Sequence, residues 1–253
     1  GLLFCVLPAT AQQTISVPIL VPEVINDYPH DSEAFTQGLL WFDGILYEST
    51  GLNGQSSLRR VDITSGEPIT SIDIDEKYFA EGLEKVGDTL IQLTWKAGEA
   101  FVYDINTFEQ LDTLTYDGEG WGICYDERYL FMSDSTSYLS VRDPETFELI
   151  FRGAVTLDGQ IIPAQLLNEL ECVGDYIYAN AWQTQFIFKI DKYTGDVVAL
   201  IDASSLLTEA QYAELGSGDV LNGIAYNPDT QTFFITGKRW SHMFEVVFTE
   251  RDN

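Results

Sequence analysis

Histidine is nearly absent from this chain: two in 253 residues, His30 and His242. Zinc centres are built largely on histidine and cysteine ligands, and a Ser-His-Asp catalytic group needs a histidine beside its nucleophile. Two separated histidines and three cysteines (Cys5, Cys124 and Cys172) supply neither. Basic residues are scarce as well, 13 against 40 acidic, for a net charge of −27. A surface of that sign repels polyanions, which excludes nucleic acid and anionic membrane as partners. No phosphate-binding loop and no dinucleotide fingerprint occurs. The apolar run Gly1–Ala11 is too short to span a bilayer. Its ending, Ala9-Thr10-Ala11, reads as a secretory signal with a cleavage site before Gln12. The mature protein, residues 12–253, is therefore expected to be one domain exported to the periplasm or beyond the cell.

What the chain has is a hairpin that recurs five times. The first strands open at Gln37-Gly38-Leu39, Glu81-Gly82-Leu83, Trp121-Gly122-Ile123, Asn168-Glu169-Leu170 and Asn222-Gly223-Ile224, at steps of 44, 40, 47 and 54 residues. Short strands at such a period mark a β-propeller, and no single unit of one can bury its own faces. Turns at Asp43-Gly44, Gly87-Asp88, Asp126-Glu127 and Gly174-Asp175 join the first hairpins. A second hairpin in each of the first four units carries D-x-x-[ST]-[GF]-[ED], beginning at Asp62, Asp104, Asp143 and Asp191, whose acidic residues read as turn chemistry rather than as ligands. The prediction is an all-β fold, a five-bladed propeller with four-stranded blades. The fifth unit runs out after Phe248, so Ile19–Tyr28 is expected to close the ring against it. Leu157–Leu167 reads as an apolar loop. Asp202–Gly216 reads as one or two helical turns, capped by Ser204 or Ser205 and stopped by Gly216. Cys124 and Cys172 lie two and three residues past Gly122 and Glu169; strict alternation sends them to opposite sides and favours two buried thiols, with a disulfide as the alternative. A closed ring shares no long edge, so a monomer is expected.

The hairpin geometry also maps a site. A strand of about six residues down, a turn and about six back return the chain to the same end. Fourteen residues after each opener come Gly51, Trp95, Ser135 and Trp182; in the fifth unit, with its longer turn, Lys238 follows after sixteen. One channel mouth therefore collects Gln37, Glu81, Trp121, Asn168 and Asn222, ringed by Trp95, Trp182 and Lys238, with Phe35 two residues before Gln37. One tryptophan alone would read as packing between blades, and one glutamate as a solvated strand end. Gln37, Asn168 and Asn222 read equally well as groups that tie off channel backbone. The convergence of carboxylate, ammonium, amides and indoles at matched positions favours a small polar site with aromatic walls. The apolar lead-in Tyr78-Phe79-Ala80 predicts a raised pKa for Glu81. Calcium on channel carbonyls stays open.

At these positions the chain resembles a known family. His30-Asp31-Ser32-Glu33-Ala34-Phe35-Thr36-Gln37-Gly38-Leu39, Glu81-Gly82-Leu83, Leu93-Thr94-Trp95-Lys96, Gly118-Glu119-Gly120-Trp121-Gly122, Leu167-Asn168-Glu169-Leu170-Glu171, Leu221-Asn222-Gly223-Ile224 and Thr236-Gly237-Lys238-Arg239-Trp240 are similar, in order, to plant- and bacterial-type glutaminyl cyclases. The likeness runs over roughly residues 23–248 and departs at Cys124 and Cys172. It implies a five-bladed propeller that converts the N-terminal glutamine of a peptide or protein to pyroglutamate and releases ammonia, with no cofactor required. Glu81 matches the family's catalytic glutamate. Lys238 and Asn168 are expected to hold the developing oxyanion and Gln37 to orient the substrate, with Phe35, Trp95, Trp121, Trp182 and Asn222 binding it. Two rival readings are a metal-dependent, lactonase-like propeller, which Lys238 opposes, and a non-enzymatic peptide-binding propeller, which leaves Glu81 beside Lys238 unexplained.

Overall fold

A computed structural model describes residues 16–251; the proposed signal segment and Cys5 lie outside them. The strands follow the repeat. Unit one is Thr36–Phe42, Ile45–Thr50, Ser57–Val61 and Pro68–Asp73, and unit two is Ala80–Val86, Thr89–Thr94, Glu99–Asp104 and Gln110–Thr115. Unit three is Ile123–Tyr125, Leu130–Met132, Tyr138–Arg142 and Leu149–Ala154, and unit four is Leu167–Val173, Tyr176–Ala181, Phe186–Asp191 and Val197–Asp202. Each pairs antiparallel in chain order. The fifth unit has Leu221–Asn227, Thr232–Gly237 and His242–Glu250, and Ile19–Pro29 supplies its outer strand, paired from Leu20 opposite Glu250 to Pro29 opposite His242 with a register shift between Val24 and Asn26. The N-terminal segment thus closes the ring as expected. It also touches the outer strand of unit four in parallel at two residues, Ile19 and Leu20, so that units four and five form one eight-stranded sheet.

Alternation along the first strands explains why the units stack. Leu39 packs against Ala225 and Phe234 of unit five, whereas Leu40 faces Leu83 and Leu90 of unit two. Ile123 faces unit two through Ile91 and Leu93, and Cys124 faces Leu170 and Ile177 of unit four. Each seam is an apolar layer between two sheets, and burial of such side chains contributes about 25 cal/mol per Å² of apolar surface.

The same alternation corrects the expectation for the cysteines. Cys124 and Cys172 are joined by a disulfide, with Cα atoms 5.4 Å apart. Opposite parity would separate two residues of one sheet. These two belong to adjacent sheets stacked face to face, where forward-facing Cys124 meets backward-facing Cys172, which shares its face with Leu170.

Turn chemistry follows the sequence. Asp43, Gly44, Gly87, Glu127 and Gly174 all have positive φ, and Asp104 Oδ1 accepts from Asn106 N and Thr107 N, both at 2.8 Å. The two insertions differ from expectation. Part of Leu157–Leu167 is ordered as a hairpin of Thr156–Leu157 with Gln160–Ile161. The helix is Glu209–Glu214, capped by Thr208 and ending at Leu215. Ser204 is used elsewhere, its N–H bonding Asp202 Oδ1, while Thr208 and Gln211 cap each other reciprocally.

Candidate active site

Register shifts in the first strands turn the openers toward one end of the channel. Pairing slips between Thr36 and Gly38, Ala80 and Leu83, Leu167 and Leu170, and Leu221 and Ile224. Each shift brackets an opener: Gln37, Glu81, Asn168 or Asn222. A bulge re-aims its side chain out of the pleat. Glycine beside the opener lets successive first strands approach at the axis: a Cβ on Gly82 would meet Trp121 O, and one on Gly122 would meet Asn168 O. The fourth unit carries Glu169 at that place. Its carboxyl group accepts from Leu39 N of unit one and Ile224 N of unit five.

The result is a cavity of about 240 Å³ lined by Phe35, Gln37, Phe79, Glu81, Trp95, Trp121, Asn168, Trp182 and Lys238, with Gln183, Ser217, Gly218 and Val220 along one side. Eight of the nine predicted residues meet there. A larger polar groove of about 570 Å³ lies between units two and three and holds none of them. The aromatic walls interlock: Phe79 packs edge-on to Trp95 at 5.5 Å between centroids, Trp121 to Trp182 at 5.5 Å, and Phe35 to Phe79 at 6.1 Å.

Inside this apolar lining sit one carboxyl group and one amine. Glu81 is buried, and its carboxyl makes no hydrogen bond among the described residues. Burial holds its pKa well above the usual carboxylate range; Lys238 pulls it back and Glu119 adds to the rise. Burial pushes Lys238 down to about 8, against the pull of Glu81. Lys238 Nζ stands 4.9 Å from the Phe35 ring centre. Among the described residues Glu81 and Lys238 form no contact ion pair, and both line the cavity. Asn168 Oδ1 is buried without a partner.

The sequence matches the glutamine cyclotransferase family over residues 2–248. The chain belongs to this family. It is 37% identical over 230 residues to a glutaminyl-peptide cyclotransferase of Arabidopsis thaliana, covering 88% of this chain and 70% of that protein. The crystal structure of Myxococcus xanthus glutaminyl cyclase superposes with a TM-score of 0.86 at 39% identity, covering 94% of this chain and all of that one. The WD40 domain of Neurospora crassa Pan2, at 11% identity and a TM-score of 0.50, shares the fold alone.

Two expectations for this cyclotransferase need correcting. Asn222 does not reach the cavity. It is fully buried, and its Nδ2 donates to Thr36 O at 2.9 Å and to Gln37 Oε1 at 3.3 Å. The fifth-unit bulge turns it toward unit one, where it holds the Gln37 oxygen and leaves the Gln37 NH2 to face the cavity. Asn222→Ala is expected to lower kcat/KM by about tenfold, the worth of one hydrogen bond, checked by steady-state kinetics; an unchanged value would mean that Gln37 needs no holding. Ser135, fourteen residues after Trp121, does not line the cavity; its carbonyl accepts from Gln165 N at 3.1 Å, in the loop before unit four.

Phe79, Glu119 and Val220 were missed, although the sequence signals them. Phe35 lies two residues before its opener, and the same offset from Glu81, Trp121 and Asn222 gives Phe79, Glu119 and Val220. Phe79 fills the place left by Gly51, where a Cβ would collide with its ring. Gln183, Ser217 and Gly218 lie outside the repeat.

As for metal, the carbonyls of Thr36, Glu81, Trp121 and Asn168 already accept from Asn222 Nδ2, Ser49 Oγ, Gly82 N and Ser133 Oγ. Among the described residues no group of three or more His, Cys, Asp or Glu is placed to hold a metal ion.

Proposed function

We propose that the protein is a glutaminyl-peptide cyclotransferase whose acid–base chemistry runs through Glu81 without a metal. The observation that carries this reading is an unpaired carboxyl group facing a buried amine across an aromatic cavity of about 240 Å³. The substrate is a peptide or protein with glutamine at its N-terminus. Its α-amine nitrogen attacks the side-chain amide carbon, closing a five-membered lactam. The C–N bond to the amide nitrogen breaks, and ammonia leaves. The proton lost by the attacking amine ends on the leaving nitrogen, so one carboxyl group can carry it from the first to the second. A carboxyl with a raised pKa suits both halves of that task, because it accepts and returns a proton near neutral pH. Lys238 and the Asn168 amide are placed to hold the oxygen that gains negative charge, each such donor worth about 2.7–4 kcal/mol. The Gln37 amide, held by Asn222, orients the substrate. Phe35, Phe79, Trp95, Trp121 and Trp182 fold the glutamine side chain back toward its own amine and exclude water.

The Cys124–Cys172 disulfide supports an oxidising compartment, in keeping with export. The test incubates the protein with a glutamine-initiated peptide and follows loss of one ammonia from the peptide mass, before and after prolonged chelation. Cyclisation is expected in both. A peptide that binds unchanged would favour a binding propeller, and activity that a divalent metal must restore would favour the metal-dependent alternative.

A further inference from the structure

Glu119 is absent from the catalytic cavity yet holds two of its walls. It precedes Trp121 by two residues, in the loop that leads into unit three. Its Oε2 accepts from both indoles, Trp95 Nε1 at 3.0 Å and Trp121 Nε1 at 2.9 Å. These are the only hydrogen bonds that either indole makes among the described residues. Its Oε1 stands 3.9 Å from Lys96 Nζ, and Lys96 Nζ lies 3.9 Å from the centre of the Trp95 ring. The two indoles come from different units, so one carboxylate bridges a seam of the propeller at the mouth.

We propose that Glu119 is a positioning residue, a single carboxylate that locks Trp95 and Trp121 into one wall and holds a fixed negative charge behind it. This rests on the reading of the cavity as a cyclotransferase site. Two consequences separate it from mere packing. An indole whose N–H is bonded to a carboxylate presents a more electron-rich face, which strengthens its hold on the substrate's ammonium group. The charge also opposes ionisation of Glu81. The titratable groups facing Glu81 are Lys238 from unit five, which favours the ionised form, and Glu119 and Tyr116 from the loop before unit three. Tyr116 is held neutral, its hydroxyl donating to Thr94 O and burial pushing its pKa up to about 12. Glu119 is therefore the negative charge that adds to the rise that burial imposes on the proton affinity of Glu81.

The experiment compares wild type with Glu119→Gln and Glu119→Ala in the full chain, measuring kcat and KM across pH together with tryptophan emission. Glutamine keeps an acceptor for the indoles and removes the charge. KM is expected to rise about 3- to 10-fold, the acid limb of kcat/KM to move to lower pH, and emission to stay as in wild type. Alanine removes the clamp too, so its KM rises further, kcat falls and the emission shifts. Wild-type kinetics and emission in both variants would overturn the proposal. So would a Glu119→Gln variant that loses activity at all pH values with neither KM nor the acid limb displaced. Failure of wild type to release ammonia would reject the cyclotransferase reading instead; the clamp would then stand or fall on emission, which must shift in Glu119→Ala and not in Glu119→Gln.

Discussion

Glu81→Gln should lower kcat by about 10²–10⁴-fold, the range that a positioned acid–base group contributes, and should leave the protein at least as stable as wild type. The kinetic half follows from the proton tally: without a carboxyl, the proton of the attacking amine has no carrier to the departing nitrogen. The stability half follows from burial. Glu81 lies in an apolar pocket with its carboxyl unbonded among the described residues and its pKa held well above 4.5 by burial. In the folded state it keeps its proton at pH values where the unfolded chain has lost it. Folding therefore becomes less favourable as pH rises from about 4.5 through the folded pKa. A neutral amide of the same shape removes that cost, so the urea midpoint of the variant should equal or exceed that of wild type above this window and match it in acid. The pH–rate profile adds a second check. On the proposed mechanism the productive complex shares one proton between Glu81 and the α-amine, and the alkaline limb should reflect Lys238, whose pKa burial pushes down to about 8. A variant that cyclises at near-normal rates would remove Glu81 from the mechanism. One that is inactive because it has unfolded would show a lowered urea midpoint, contrary to the burial argument.

The repeat made most of this site readable from sequence because a propeller reuses one backbone path. Once Gln37, Glu81, Trp121, Asn168 and Asn222 are recognised as equivalent, strand length alone returns Trp95, Trp182 and Lys238 to the same end. What the count could not carry was the bulge at four of the five openers. It displaces side chains by a fraction of the pleat, so Asn222 points at Gln37 instead of at the cavity. In unit three the residue fourteen positions on, Ser135, is tied to Gln165 N and stays out of the cavity lining. The disulfide was misjudged for a different reason: parity was counted as though Cys124 and Cys172 shared a sheet, whereas they face each other across a seam. Gln183, Ser217 and Gly218 come from connections outside the repeat, whose course is set by local contacts such as Trp240 Nε1 to Asp219 O rather than by the period.

The largest effect on stability should come from a pair that does not line the cavity. His30 follows the closing strand. Its ring is buried, with Nδ1 2.7 Å from Trp240 O and Nε2 3.0 Å from Glu48 Oε1. A carbonyl and a carboxylate oxygen are both acceptors, so both ring nitrogens must carry hydrogen and the group is imidazolium. Burial works against that charge, and the attraction and hydrogen bond of Glu48, with the Trp240 carbonyl, outweigh it to raise the His30 pKa. Burial likewise works against the Glu48 charge, but His30, Arg59 and the Thr36 hydroxyl together hold its pKa low. The pair ties the closing strand, unit one and unit five together directly behind Gln37 and Lys238. Removing one partner leaves the other buried and uncompensated, so His30→Ala or Glu48→Gln alone should cost about 3–5 kcal/mol, or on the order of 10 °C in Tm for a domain of this size. Replacing both with apolar residues should recover most of it. The sign of the pH dependence is fixed by the two shifts. His30 contributes fully below its unfolded pKa of 6.5 and loses its contribution as pH rises through its folded value. Glu48 contributes fully above 4.5 and loses its contribution as pH falls through its folded value. The pair is therefore worth most between about 4.5 and 6.5, and the difference in unfolding free energy between wild type and the double variant should be largest there and narrow on either side. A difference that grows as pH rises through about 6.5 would show that the ring is neutral in the folded state, and one that does not change with pH would show that folding shifts neither group and that the seam is held by packing alone.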